Sequence, residues 1–217
     1  MVRSKASLRA VVLAATKGGV GKTTLASVLA VRAAEDGARV ALIDTDPQAS
    51  LIRWWELRGE PENPKIYEMD ASAEAIGLLM AEGWDWVFID TPPAMFDRIE
   101  AAVAIADFVL IPSRTSAIDV EAAADVVDLC REHGKKFAFL INQANPQWGK
   151  LTDSTEDYLR RHGPVLAARI GYRKAFVSAM TVGKSGVEIE KDGQCRKEVD
   201  ALWAALKKSV GKAMVRA

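Results

Sequence analysis

The sequence predicts an α/β fold: a doubly wound, mainly parallel sheet flanked by helices, in a single domain over residues 1–217. Three observations carry that expectation. Short, near-continuous apolar runs alternate with longer stretches of helical period, a glycine-rich segment joins the first such run to the first such helix, and acidic residues stand at the ends of later runs. Strands of a parallel sheet read as continuous apolar runs because helices cover both faces, and ligands of such sheets bind beyond the carboxyl ends of the strands.

The first strand is predicted over Ala10–Ala15, and it leads directly into Thr16–Thr24. Thr23–Glu35 follows as a helix, with Leu25, Val28, Leu29 and Arg32 at helical spacing and Gly37 as its stop. Arg39–Ile43 is the second strand and ends at Asp44. Pro61 and Pro64 mark Arg58–Pro64 as a surface loop within the domain. Trp86–Ile89, Phe108–Ile111 and Phe137–Ile141 are three further strands. Between the last two, Ala117–His133 is a helix with Val120, Ala124, Val127 and Cys130 on one face and Gly134 closing it. Neither an internal repeat nor a low-complexity linker interrupts the pattern.

Composition narrows the class. With 217 residues and 49% apolar content the chain has the material for a core, which excludes a disordered or collagen-like protein. At this length about 70% of the unfolded surface is buried, so no metal or disulfide is needed to hold the fold. The two cysteines, Cys130 and Cys195, lack Cys-x-x-Cys spacing and read as reduced, packed thiols of a cytoplasmic protein. The run at Ala10–Ala15 is far short of the roughly 20 residues of a membrane span and precedes no cleavage site. Lys+Arg and Asp+Glu balance at 29 each, yet unevenly: residues 1–130 hold 12 basic against 20 acidic (−8), and residues 131–217 hold 17 against 9 (+8). A basic C-terminal third suits a polyanion, and equally a solvated surface.

The most informative stretch is Thr16-Lys17-Gly18-Gly19-Val20-Gly21-Lys22-Thr23-Thr24. Its three glycines let the backbone wrap phosphates with N–H groups turned inward, and the helix that follows adds the positive end of its dipole. Lys22 then reaches the β- and γ-phosphates, and Thr23 offers a hydroxyl to Mg²⁺. The ordinary phosphate loop has glycine six residues before this lysine, where Thr16 stands. Asp44 and Asp46 lie at the end of the second strand, 22 and 24 residues after Lys22, and alternate residues of extended chain point the same way. Trp86-Val87-Phe88-Ile89-Asp90 is an apolar strand ending in an acid, the form of a Walker B segment, and Asp90 there can bind Mg²⁺ through water.

Lys17 ahead of the glycine pair marks the deviant Walker A pattern, and through it the chain resembles the ParA and MinD superfamily of dimerising ATPases. Asp44-Thr45-Asp46-Pro47-Gln48, Asp90-Thr91-Pro92-Pro93, Leu110-Ile111-Pro112-Ser113 with Asp119, and Leu140-Ile141-Asn142 resemble further family segments, so the likeness covers nearly the whole chain. The resemblance implies that Lys17 crosses to the partner subunit's phosphates in a nucleotide-sandwich homodimer, that Asp44 holds the metal's hydration shell, and that Asp46 orients the attacking water. It implies that Thr91 and Pro92 sense the γ-phosphate and that Asn142 contacts adenine; a plain strand-end turn explains Asn142 as well. The implied cofactors are ATP and Mg²⁺, bound by residues Lys17 to Thr24 and by Thr23, Asp44 and Asp90. The implied reaction is slow hydrolysis, stimulated by a ParB-like or other adaptor, with binding and hydrolysis switching the dimer on and off.

Within that family, ParA-type members bind non-specific DNA as dimers, and MinD-type members bind membrane through a C-terminal amphipathic helix. Val199, Leu202, Leu206, Val210 and Met214 form an apolar stripe with Trp203 beside it and Lys207, Lys208 and Lys212 around it, which suits a membrane surface or packing on the sheet. Arg160 and Arg161, with the candidate DNA contacts Arg169, Arg173, Lys174, Lys184, Arg196 and Lys197, scatter over several elements, which suits phosphate contacts from a folded dimer better than one inserted helix. Nine residues precede the first strand, too few for a helix-turn-helix, so the chain resembles the short ParA-type members. The expectation is a cytoplasmic, nucleoid-associated ATPase that segregates or positions a cargo, with the membrane-bound positioning ATPase as the alternative. Three relatives on this fold fit less well. An iron protein of the nitrogenase type needs cysteines in loops, dethiobiotin synthetase has no reason to carry Asp-Pro-Gln, and the bacterial tyrosine kinases end in a tyrosine-rich tail, whereas the last tyrosine here is Tyr172.

Overall fold

The structure is a computed structural model and describes residues 8–211. Seven strands form one sheet: β1 (Arg9–Leu13), β2 (Val40–Asp44), β3 (Lys65–Tyr67), β4 (Trp86–Asp90), β5 (Phe108–Ser113), β6 (Phe137–Ala144) and β7 (Val165–Gly171). They lie in the order β3-β2-β4-β1-β5-β6-β7, and every pairing is parallel. The helices are α1 (Lys22–Glu35), α2 (Ser50–Leu57), α3 (Ala73–Ala81), α4 (Phe96–Ile105), α5 (Ala117–Glu132), α6 (Gly149–Arg160), α7 (Lys174–Met180), α8 (Gly186–Ile189) and α9 (Gln194–Val210).

Period-two alternation divides each central strand between two cores. Val11, Leu13, Leu42, Phe88 and Leu110 face α1, α2, α7, α8 and α9, while Ala10, Val12, Ile43, Ile89 and Ile111 face α3, α4, α5 and α6. Each large side chain so buried contributes about 1.5–3 kcal/mol. The same alternation in neighbouring strands keeps their carboxyl ends level, so that Leu13 pairs with Asp90 and Asp44 with Asp90 across adjacent ladders. Polar strand ends therefore meet on one side of the sheet.

All five expected strands are present with shifted ends. β1 stops at Leu13, although the Ala14 N–H still donates to the Leu110 carbonyl at 3.1 Å. β5 and β6 run on to Ser113 and Ala144, past the apolar residues that marked them. Two strands escape the apolar-run criterion. β3 is a three-residue edge in which only Ile66 is buried, and β7 is an edge strand whose Ala167 and Arg169 face solvent between buried Leu166, Ala168 and Ile170. On α5, Val127 and Cys130 are buried as expected, but Ala124 is exposed and Ala123 and Val126 take the inward face. The side chains of Asp119 and Val120 lie outside the described residues. Cys130 and Cys195 are free and buried, and burial pushes both thiols up to about 12.

The stripe on α9 packs inward. Val199, Leu202, Trp203, Leu206 and Val210 are all buried, Trp203 meets Trp86 edge-on at 4.8 Å, and its indole N–H donates to Asp36 at 2.9 Å. Met214 and Lys212 lie outside the described residues. Among the described residues, no helix is long and apolar enough to cross a membrane.

Candidate functional site

Residues Thr16–Gly21 leave the end of β1 and turn into α1. Gly21 occupies the N-cap with φ +91° and Gly19 has φ +75°, left-handed values that favour glycine. A glycine cap contributes no side-chain acceptor, so the first N–H groups of α1 stay open to an anion, which the helix dipole also favours. Lys22 is 7% exposed, and its ammonium donates to the carbonyls of Ala15 at 3.1 Å and Lys17 at 3.3 Å. Burial pulls the Lys22 ammonium below its ordinary value, against the opposing charges of Asp90 and Asp46.

Asp90 is 1% exposed at the end of β4. Its Oδ2 accepts the Thr23 hydroxyl at 2.6 Å, while its Oδ1 is buried with no hydrogen-bond partner among the described residues. Burial pushes its carboxyl well above the usual range, the Thr23 hydroxyl opposes the shift, and the Asp44 charge adds to it. Asp44 sits opposite Asp90 on β2 and is buried; its Oδ1 accepts the Asp46 N–H at 3.0 Å, and its Oδ2 accepts those of Leu51 at 2.9 Å and Ile52 at 3.2 Å. Burial raises this carboxyl too, against those three N–H donors. Asp44 thus fastens the start of α2 to the end of β2. Asp46 is half-buried, and its Oδ1 accepts the Gln48 N–H at 2.9 Å, closing an Asx turn.

The Thr91–Pro93 segment borders the loop directly. Thr91 is buried and donates its hydroxyl to the Leu13 carbonyl at 2.9 Å, Pro92 is buried, and a Cβ on Gly18 would lie 3.9 Å from Pro93. Asn142, at the end of β6, donates its amide to the Val20 carbonyl at 2.7 Å. Beside it a cleft opens next to Gly21 and Thr24 and runs between Asn142 and Tyr172, over Leu25 and Phe176. The structure therefore gathers Lys17 through Thr24, Asp44, Asp46, Asp90, Thr91, Pro92 and Asn142 at one end of the sheet.

The six candidate DNA contacts fall into two groups. Arg169 pairs with Glu156 at 2.6 Å and Asp153 at 2.9 Å, Arg173 pairs with Glu198, and Arg196 pairs with Glu35 at 2.8 Å and Asp200 at 3.2 Å. Lys174, Lys184 and Lys197 are exposed. Charge counting along a chain reveals little of this, because apart from Asp200, one turn from Arg196 on α9, each acid comes from a different element than its cation.

Two contributors went unmarked by the sequence. Gln143 donates its amide to the Gly19 carbonyl at 2.9 Å, and Arg98 donates to the Thr45 carbonyl at 2.7 Å. Their partners lie 124 and 53 residues away, so no local spacing signals them. Only the position of Gln143 next to Asn142 at a strand end pointed towards the site.

The donor set suits a nucleoside triphosphate with a hard cation. Open helix N–H groups and a buried ammonium meet phosphate oxygens, and the orphaned Asp90 oxygen beside the Thr23 hydroxyl fits an oxygen-seeking ion such as Mg²⁺. Among the described residues no cluster of three or more His, Cys, Asp or Glu forms a metal site. Mg²⁺ held largely by phosphates and water requires none.

Comparison with known proteins places this arrangement. Residues 11–186 match the family model for the CobQ/CobB/MinD/ParA nucleotide binding domain. The maintenance of carboxysome distribution protein A of Halothiobacillus neapolitanus is 29% identical over 189 residues, covering 82% of this chain and 86% of that one. Among solved structures, an ATP complex of Cyanothece McdA matches with TM-score 0.69 and 18% identity over 97% of this chain and 100% of that chain. The septum site-determining protein MinD of Pyrococcus horikoshii, complexed with Mg-ADP, matches with TM-score 0.73 and 16% identity over 96% of this chain and 100% of that chain. Because the family model spans most of the chain, from β1 through the phosphate loop to the start of α8, the protein belongs to the ParA/MinD superfamily of P-loop ATPases.

Proposed function

We propose that the protein is a Mg²⁺-dependent ATPase that forms an ATP-sandwich homodimer, binds DNA without sequence preference in that state, and positions or segregates a cargo with an adaptor protein. The observation that carries this reading is the cradle itself: Thr23 bonds Asp90 at the end of β4, Lys22 bonds Ala15 just past β1, and Lys17 lies in the loop between. ATP and Mg²⁺ in the two structural relatives support the ligand assignment, and the carboxysome-distribution relative supports a positioning role.

Thr23 and Asp90, with Asp44 behind them, would hold Mg²⁺, which supplies charge neutralisation to the phosphates when bound. Lys22 meets the β- and γ-phosphates, and Lys17 reaches those of the partner subunit. Asp46 holds the attacking water, and the cleft beside Asn142 and Tyr172 takes the base. The DNA contacts fall to Lys174, Lys184 and Lys197, since the three arginines already face carboxylates. The stripe of α9 from Val199 to Val210 is packed inward and so is not the surface engaged.

Asp46→Ala held with Mg²⁺ATP, against its Mg²⁺ADP form, tests the reading by fluorescence anisotropy on unrelated duplexes at two salt concentrations. Binding in the ATP form alone, indifferent to sequence and weakened steeply by salt, is expected. An ATP-form dimer that ignores DNA at both salt concentrations overturns the DNA assignment, and binding to anionic liposomes would then replace it.

A further inference from the structure

The phosphate loop exposes N–H groups to its ligand only while its carbonyls point away; four carbonyls from Ala15 to Val20 accept from side chains, and that of Thr16 accepts the Ala94 N–H. Lys22 holds Ala15 and Lys17, Asn142 holds Val20 at 2.7 Å, and Gln143 holds Gly19 at 2.9 Å. Gly19 is the weak point. It is exposed, lacks a Cβ and sits at φ +75°, so the peptide that carries its carbonyl is free to rotate and turn its oxygen into the cradle, where it would repel phosphate.

The strand that supplies the two amides is bent to do so. Between Ile141 and Ala144 the register of β6 with β7 shifts, and Gln143 adopts φ +54°, a left-handed value for a residue with a side chain. Such a distortion costs about 1–3 kcal/mol and re-aims the side chains at a bulge. In an ordinary strand consecutive side chains point to opposite faces; here residues 142 and 143 both reach the loop.

We infer that Gln143 is a positioning residue that keeps the Gly19 carbonyl out of the phosphate cradle, so that the loop is set for a nucleotide before one arrives. This rests on the nucleotide-binding reading, and it identifies the Asn142–Gln143 bulge as the brace of the loop. Pre-organisation of this kind acts on affinity by raising the fraction of molecules competent to bind.

The test uses Gln143→Met, which keeps length and packing but has no donor, alongside Gln143→Ala. In the ligand-free ¹⁵N-labelled protein, both variants are expected to broaden the Gly19 and Val20 amide signals through microsecond-to-millisecond exchange, with melting temperatures unchanged. By calorimetric titration with Mg²⁺ADP, both are expected to bind about 2- to 10-fold more weakly than the parent, the range of one lost hydrogen bond. Sharp Gly19 and Val20 signals in Gln143→Met, or parental affinity, overturns the positioning role. Failure of the parent protein itself to bind Mg²⁺ADP sinks the nucleotide reading instead, while the ligand-free spectra still decide whether Gln143 holds the loop.

Discussion

Gly21→Ala is the substitution whose cost the structure sets most directly. An alanine there must hold φ near +91°, and its Cβ would lie 2.4 Å from the Asn142 amide nitrogen. The left-handed backbone alone costs roughly 1–2 kcal/mol for a residue with a Cβ. Relief of the clash must come from Asn142, which is 4% exposed and would give up its bond to the Val20 carbonyl, a further loss of about 1–3 kcal/mol for a buried unpaired group. The sum is about 2–5 kcal/mol. Gly37→Ala is the internal control, because it has φ +85° with nothing within 4 Å of the added Cβ and pays the backbone term alone. Urea denaturation of the ligand-free protein should place Gly21→Ala below Gly37→Ala by about 1–3 kcal/mol, and a loss near 3 kcal/mol lowers Tm by about 6–12 °C. The double variant Gly21→Ala with Asn142→Ala should be less unstable than the two single losses added, since the small residue removes the clash. Equal destabilisation by Gly21→Ala and Gly37→Ala would show that Asn142 does not crowd the loop and would refute the packing argument.

Two other substitutions probe charge. Lys22→Met should remove nucleotide binding, read by calorimetry, and lower the Tm of the ligand-free protein, because buried Asp90 loses a nearby positive charge and the Ala15 and Lys17 carbonyls lose their donor. Glu156→Gln tests the paired arginines: burial alone would raise the Glu156 carboxyl, but hydrogen bonds from Arg160 and Arg169 overcome it and hold the carboxyl below the ordinary range. A depressed folded value gives stability that is present above the unfolded carboxylate range and lost as pH falls through the folded one. Glu156→Gln should therefore cost about 1–2 kcal/mol at pH 7, less than a fully buried pair since Arg169 is 41% exposed, and the gap in Tm should close as pH falls below the ordinary carboxylate range. A gap that stays constant with pH would place the stabilisation in packing.

What the sequence made legible followed from local chemistry. Ala10 through Lys22 announces a strand, a glycine turn and a helix start because each residue type is nearly obligatory for its backbone, and Asp44 and Asp90 show as acids ending apolar runs. The edge strand β7 stayed hidden because Ala167 and Arg169 face solvent, and Arg169 interrupts the apolar run. Tertiary pairing also gives site residues partners that spacing does not show. Asp44 carries three backbone N–H groups of the chain that follows it, and Asn142 braces Val20. Arg173 and Arg196 look alike in sequence to Lys174 and Lys197, yet each meets a carboxylate across a helix or strand boundary. Partners set by the fold are invisible to spacing.

The central place of β1 bears on how the chain is made. Its ladder partners are β4, from Trp86, and β5, from Phe108, so Arg9 pairs with a residue 77 positions later and Val11 with one 97 positions later. At about 5–20 residues per second of synthesis, the strand that carries the phosphate loop waits roughly 5–20 s beside the ribosome for its second neighbour. Until then β1 keeps an unpaired edge open to any passing strand or chaperone. Nucleotide can stabilise the nascent protein only after β5 has emerged and the loop has a sheet to stand on.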